Sequence, residues 1–292
     1  MTDDPVHRLP RVTAVLLSMG NRPRELATAL ETLHTQTGVE LDCVLLGNGW
    51  HPSGIPGWVS TEESPENLGC PQGRNVGAGL ATGEFIFFYD DDAWLPSPDV
   101  LSRMVACMDD DVAVVQPKGV DPVGRPAPRR WTPRLRVSGR DRPGDAAVFW
   151  EATCLIRRSA FEQVGGWPGN FFFGHEGVDL AMRLLDHGWR IRYCPSIEVH
   201  HPATAASRHA VYYRTNARNR VWVARRNLPA PLVPVYLGVW SLATVARVHD
   251  REALRVWFSG FADGWRSDPG PRRPMRWSTV WRMTRLGRPP VW

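Results

Sequence analysis

Residues 84–95 read EFIFFYDDDAWL, an apolar, aromatic run that ends in three consecutive aspartates. Phe85 to Tyr89 has the length and composition of a strand buried on both faces. Like charges repel, and burial raises the cost of keeping carboxylates ionised. Asp90, Asp91 and Asp92 therefore imply a cation waiting at the end of a central strand, and the remainder of the chain has to be arranged around that point.

The flanking pattern supplies the arrangement. Residues 12–17 (VTAVLL) form a short apolar strand, Asn21 offers a helix cap, Pro23 sits in the first turn, and Leu26, Leu30 and Leu33 recur at helical spacing. Cys43–Leu46 is a second strand that ends at Gly47-Asn48-Gly49, and Gln72–Ala81 a small-residue helix closed by Gly83. A helix from about Asp99 to Met108 and a strand at Val112–Gln116 follow the aspartates. Strands alternating with helices predict βαβ units and an α/β fold with a mostly parallel sheet flanked by helices. Such sheets bind ligands beyond the carboxyl ends of their strands. Lys118–Arg142, rich in Pro, Gly and Arg, predicts a long loop or flap. Beyond it come a strand-like run at Ala147–Ile156, short strands at Trp189–Tyr193 and Ile197–Val199, and a helix at Val178–Leu185 opened by Glu176.

After about residue 203 the chain turns helical, basic and tryptophan-rich, with Leu254, Trp257, Phe258, Phe261 and Trp265 at the spacing of one apolar helix face. Arg266–Arg288 holds seven arginines against one acid, Asp268. Arginine with tryptophan suits an anionic membrane surface, although packing on the core or a homo-oligomer contact uses the same residues. Pro231 and Pro234 break the apolar stretch 231–248, which favours an in-plane or core-packed helix over a span. The net charge of +5 suits anionic ligands. Without a recognisable reading motif, the arginines disfavour nucleic acid. Five cysteines, odd in number and without CxxC spacing, argue against a disulfide framework or zinc knuckle and for a reducing, cytoplasmic setting. The opening MTDDPVHRLPR has no apolar core of a secretory signal.

Hard carboxylate oxygens at a strand end suit Mg²⁺ or Mn²⁺, which are shared between one or two carboxylates and substrate phosphates. Upstream, ENLGCPQGRNVGAGLATGEF contains Asn67, Gly69, Gly73, Arg74, Asn75 and Gly77. Small residues there let backbone approach a ligand, and Arg74 is placed to reach a phosphate. Tight helix–strand packing accounts for the same glycines.

Taken together, N-L-G-x-x-x-G-R-N-x-G, the strand with D-D-D, RRSAFEQVGGW and EGVDLAMRLLDHGWRIRYCPSIEVHH resemble the inverting glycosyltransferases of family 2, which have the GT-A fold. The likeness covers roughly residues 11–226 and is similar to bacterial rhamnosyl- and galactofuranosyl-type transferases. It implies a catalytic domain over 1–226 with a helical extension over 227–292. It also implies a nucleotide-diphosphate sugar donor and a hydroxyl acceptor on a glycan, glycolipid, polyprenyl-linked carrier or natural product, met at the inner face of the plasma membrane. Carried over by position, Asp92 and Asp90 hold Mn²⁺ or Mg²⁺, and His200 completes the metal site with His201 as the competing candidate. Asn48, Asn67, Arg74, Asn75, Asp90 and Asp91 face the donor. Glu176 is the general base, and Asp179, three residues on, orients or caps. Two positions depart from the pattern. Gly47 stands where an aspartate would contact the nucleotide base, and Gly177 replaces the second acid of an E-D pair. These glycines leave open a non-catalytic binding protein. A nucleotidyltransferase is the weaker rival, because LLSMGNRPREL carries only one glycine after the first strand.

Overall fold

A computed structural model describes residues 8–204 and 211–291, so most of the opening segment, Met1–His7, lies outside the described residues. The elements are β1 (Arg11–Ser18), α1 (Pro23–His34), β2 (Glu40–Asn48), β3 (Val59–Ser64), α2 (Cys70–Gly79), β4 (Phe85–Asp90), α3 (Val100–Val105), β5 (Val112–Val120), β6 (Gly144–Asp145), β7 (Thr153–Arg157), α4 (Arg158–Gln163), α5 (Glu176–Asp186) and β8 (Arg190–His200). Helices α6 (Tyr212–Asn227), α7 (Leu232–Arg247), α8 (Arg251–Arg266) and α9 (Trp277–Arg285) follow.

The sheet runs β3-β2-β1-β4-β7-β5-β8-β6. Its first four strands pair in parallel, as do β5 and β8, while β7 is antiparallel to both neighbours and β6 to β8. The sheet is therefore mixed, and the parallel block carries the aspartates. β4 is apolar up to Asp90 because both its faces are covered. Phe85, Phe87 and Tyr89 pack with Val12, Ala14 and Leu16 against α1 and α3. Ile86 and Phe88 pack on the other side with Ala78 of α2, Phe161 of α4 and Leu180 and Leu184 of α5. Each such side chain contributes about 1.5–3 kcal/mol of burial.

Several local expectations change. β3 went unforeseen because Ser60–Glu63 of this edge strand are exposed and polar. The strand expected from Ala147 begins only at Thr153, since the Trp150 amide donates to Gln116 Oε1 at 2.9 Å and leaves the ladder. The two short strands near 190–199 are one strand, with a register break opposite Pro117/Lys118 that absorbs Pro195. In the expected flap, Trp131 is buried and stacks on Trp150 at 4.8 Å, and its carbonyl accepts from Gln116 Nε2 at 2.8 Å, which pins the segment to β5.

The expected boundary at 226/227 falls at the end of α6, yet Trp222, Tyr236, Leu237, Met275 and Met283 join the same core as Phe88 and Leu180. On α8 the buried stripe is Ala253, Trp257, Gly260 and Gly264, while Phe258 and Trp265 face outward. The glycines explain the shift. A Cβ at Gly260 would lie 2.2 Å from the Arg214 carbonyl oxygen, and one at Gly264 2.6 Å from Val221 Cβ, so only glycine lets α8 sit this close to α6. Among the described residues no helix is long and apolar enough to cross a membrane.

Candidate active site

The carboxyl ends of β1, β2 and β4 open into one cleft of about 1410 Å³. β1 ends at Ser18, whose Oγ donates to Asp91 Oδ2 at 2.6 Å. In the loop beyond, Arg22 Nη2 donates to Asp91 Oδ1 at 2.5 Å and Nη1 pairs with Asp92. Arg74 is buried in α2 and donates from Nη2 to Asp90 Oδ1 at 2.7 Å. The crowding of three carboxylates is thus offset by two arginines.

The aspartates do not share one environment. Burial would raise Asp90, but Arg74 and a hydrogen bond from His201 outweigh it and bring its pKa down to about 2. For Asp91 burial wins over Arg22 and Ser18, and the carboxyl is pushed up to about 6. Asp90, Asp92 and His201 place one ligand atom each within 4.8 Å of one another. His201 Nε2 lies 3.4 Å from Asp90 Oδ2 and 3.2 Å from Asp92 Oδ1. Its Nδ1 donates to the Pro202 carbonyl at 2.9 Å, so Nε2 faces the aspartates. Nε2 donates to them while the ring is protonated, a form that Asp90 and Asp92 favour against burial, and would offer its lone pair to a metal once that proton is lost. Two oxygens and one imidazole nitrogen form a donor set that fits Mn²⁺.

The histidine brought to the cluster is His201, whereas the sequence pointed to His200. Successive side chains at a strand end point to opposite faces. His200 exchanges backbone hydrogen bonds with Trp94 at 3.0 Å and sets its ring against that indole, while His201 meets the stacked Trp131 and Trp150 edge-on.

Asn48 and Asn67 line the cleft and brace each other, Asn48 Nδ2 donating to Asn67 Oδ1 at 2.9 Å. Gly69, at φ +77, opens α2, and a Cβ there would meet the Phe172 carbonyl oxygen at 2.4 Å. Gly47 has a local reason too, since a Cβ would come within 2.1 Å of the Trp50 carbonyl oxygen. No aspartate fits at that position in this turn. Asn75 is turned away from the cleft. Its side chain bonds the Trp167 amide and carbonyl, both at 2.9 Å, and ties α2 to the loop before α5.

Glu176 is 2 % exposed and lines the cleft at the first turn of α5. Oε1 is 3.8 Å from Arg74 Nη1, and Oε2 is buried with no hydrogen-bond partner. Burial, then the nearby Glu151 carboxylate, push its pKa up to about 7 against the pull of Arg74. The loop that aims it is strained: Phe172 and His175 hold φ of +64 and +69, a conformation costing about 1–3 kcal/mol per residue. Asn219 of α6 holds that loop by donating to the carbonyls of Phe171, Phe173 and Gly174 at 2.9, 3.0 and 2.7 Å.

Asp179 is outside the cleft. Its buried carboxylate accepts from Arg183 Nε at 2.7 Å, Arg226 Nε at 2.9 Å and Asn227 Nδ2 at 2.7 Å, which fastens α5 to α6. Other residues at or behind the cleft have no signature in the sequence: Ser18 and Arg22 behind the aspartates, Glu151 beside Glu176, and an arginine group on the cleft wall. There, Arg129, Arg220 and Arg288 line the wall with Tyr236 and Trp240, and no carboxylate pairs with these arginines among the described residues. Burial first, then Arg129 and Arg220, lower Arg288 to about 10. Its Nε is buried without a partner.

Residues 85–261 match a family model described as glycosyl transferase family group 2. An 81-residue stretch is 44% identical to an N-acetylglucosaminyl-diphospho-decaprenol L-rhamnosyltransferase of Mycobacterium tuberculosis, and covers 27% of this chain and 26% of that protein. A pre-mycofactocin glycosyltransferase of the same organism is 29% identical over 172 residues, 56% of this chain and 33% of the other. The matches thus span about a quarter to a third of these relatives' lengths. In fold, the chain is similar to the mannosyltransferase PcManGT of Pyrobaculum calidifontis, solved with GDP-Man and Mn²⁺. The TM-score is 0.58 at 18% identity, over 99% of this chain and 87% of the other.

Proposed function

The chain belongs to glycosyl transferase family group 2, and on that premise we propose that it moves a sugar from a nucleotide-diphosphate sugar to the hydroxyl of a phosphate-bearing acceptor, with inversion. One observation carries the reading. Asp90, Asp92 and His201 converge in a cleft whose wall also holds Glu176, with a buried carboxylate oxygen that no hydrogen bond satisfies.

Asp90, Asp92 and His201 would hold Mn²⁺ or Mg²⁺, which supplies charge neutralisation for a departing diphosphate. Asn48 and Asn67 stand where the nucleoside end enters, and Ser18 and Arg22 keep Asp91 and Asp92 in place. Glu176 takes the proton of the acceptor hydroxyl as that oxygen attacks the anomeric carbon, and the sugar–phosphate bond breaks on the opposite face. A single displacement inverts the centre. On the cleft wall Arg129, Arg220 and Arg288, without carboxylate partners among the described residues, suit an acceptor that brings phosphate charge of its own. The rhamnosyltransferase relative is named for a diphospho-linked polyprenol acceptor, which agrees. Exposed Leu242 and Val245 on α7, Trp265 on α8 and Trp277 and Trp281 on α9, set among arginines, fit an anionic membrane face from which a lipid-linked acceptor would reach the cleft.

The test is thermal stability against UDP-, GDP- and dTDP-sugars with and without Mn²⁺, followed by nucleotide release from whichever donor binds. A donor that stabilises the chain only with Mn²⁺, and fails to do so in Asp92→Ala, is the expected result. No stabilisation by any of the donors would refute it.

A further inference from the structure

We propose that Glu151 is the second carboxylate of the proton-accepting end, standing in the room that Gly177 leaves open. The inference rests on the assignment of Glu176 given above. The E-D pair that the sequence resembles would put two acids at 176 and 177, and here the second is glycine. A Cβ on residue 177 would lie 2.8 Å from Glu151 Oε2 and 3.3 Å from the Phe149 carbonyl oxygen. A side chain at 177 and the carboxylate of Glu151 thus compete for one volume, and this chain fills it from the other element.

Glu151 arrives there on a rigid support. It sits in the turn before β7, where the Trp150 amide bonds Gln116 and the Ala152 carbonyl accepts from the Asp90 amide at 3.0 Å. The turn is therefore fixed to the strand that bears the aspartates. Glu151 and Glu176 both line the cleft. The charged groups facing Glu151 are Arg74 of α2 and Arg130 of the 129–131 turn, which pull its pKa down, and Asp90 of β4, which pushes it up; burial outweighs them and leaves it raised. Glu176 faces Glu151 and Arg74. Cys70, which also lines the cleft, is held neutral by burial, its thiol pushed up to about 12.

Two carboxylates in one buried site, with Arg74 shared between them and Asp90, hold one proton more readily than none. The ionised member takes the acceptor's hydroxyl proton. The acceptor oxygen bonds to the anomeric carbon, the carbon–oxygen bond to the diphosphate breaks, and its electron pair leaves with the nucleoside diphosphate. The extra proton then passes to solvent.

The experiment follows nucleotide release, with water as acceptor, from the UDP-, GDP- or dTDP-sugar that most stabilises the full chain with Mn²⁺. Four variants are compared: Glu151→Gln, Glu151→Gly, Gly177→Asp, and Glu151→Gly with Gly177→Asp. We expect Glu151→Gln to keep the donor-induced thermal shift, to lower kcat by at least about tenfold, and to move the acid limb of the pH profile down by about one unit, because the repelling charge beside Glu176 is gone. The double variant should recover most of the rate that Glu151→Gly loses, by returning the acid to position 177. A wild-type rate and pH profile in Glu151→Gln, or a double variant no faster than Glu151→Gly, would overturn the proposal. Glu176→Gln separates the two readings. If it is inactive while Glu151→Gln behaves as wild type, only the role of Glu151 fails. If Glu176→Gln is itself active, the assignment of Glu176 fails with it.

Discussion

Replacing Asp179 with alanine should unfold the chain early while sparing its chemistry. The carboxylate is fully buried and accepts three hydrogen bonds, from Arg183, Arg226 and Asn227. Its removal strands two guanidinium groups in a site that offers them no other carboxylate within ion-pair distance among the described residues. Losing one partner of such a buried pair costs about 3–5 kcal/mol. At about 2–4 °C per kcal/mol for a chain of this size, the thermal midpoint should drop by roughly 6–20 °C. Asp179→Asn keeps the shape and some of the hydrogen bonds, so its loss should be smaller. The assay is a thermal melt of each variant, paired with nucleotide release measured well below the lowered midpoint. If Asp179 is a fastener between α5 and α6, the midpoint falls and kcat stays near wild type. A midpoint within a degree or two of wild type, or a collapse of kcat in a chain that melts normally, would refute this reasoning and return Asp179 to the chemistry.

Three further outcomes are expected. Because burial and Glu151 raise Glu176 to about 7 and the base works only when ionised, kcat/KM should fall about tenfold per pH unit below that value and level off above it; a flat profile from pH 5 to 8 would count against Glu176. His201→Ala should weaken Mn²⁺ by at least about tenfold, the lower end of what even an outer partner of a metal costs, while His200→Ala, which loses only its Trp94 contact, should leave Mn²⁺ binding unchanged; equal losses would remove the distinction. In flotation with anionic vesicles the full chain should rise with the lipid, and Trp277→Ser with Trp281→Ser should reduce that fraction; no flotation of the unaltered chain would defeat a membrane face.

Much of the frame was legible because it depends on periodicity. The strand before the aspartates, the small-residue helix α2 and the placement of Glu176 at the start of α5 all follow from patterns within some twenty residues. What could not be read depends on register and on long-range approach. The choice between His200 and His201 is fixed by the register break in β8, which no count of apolar residues reveals. Asn75 carries the right side chain for a ligand but is claimed by the Trp167 backbone across 92 positions. Arg22 and Glu151 reach the site from loops whose composition is ordinary. The apolar face of α8 was misplaced because its closest packing is made by two glycines, which a search for large residues passes over.

Asn219 lies in a helix beyond the strand core, yet its one amide group holds three carbonyls of the loop that aims Glu176. Anyone recombining this protein with a relative should keep that helix and loop from the same parent, with the crossover placed after Asn227. A chimera that joins foreign sequence earlier would inherit the ion-binding aspartates intact and lose the alignment of Glu176 beside them. Such a protein would still take up its donor yet fail to spend it.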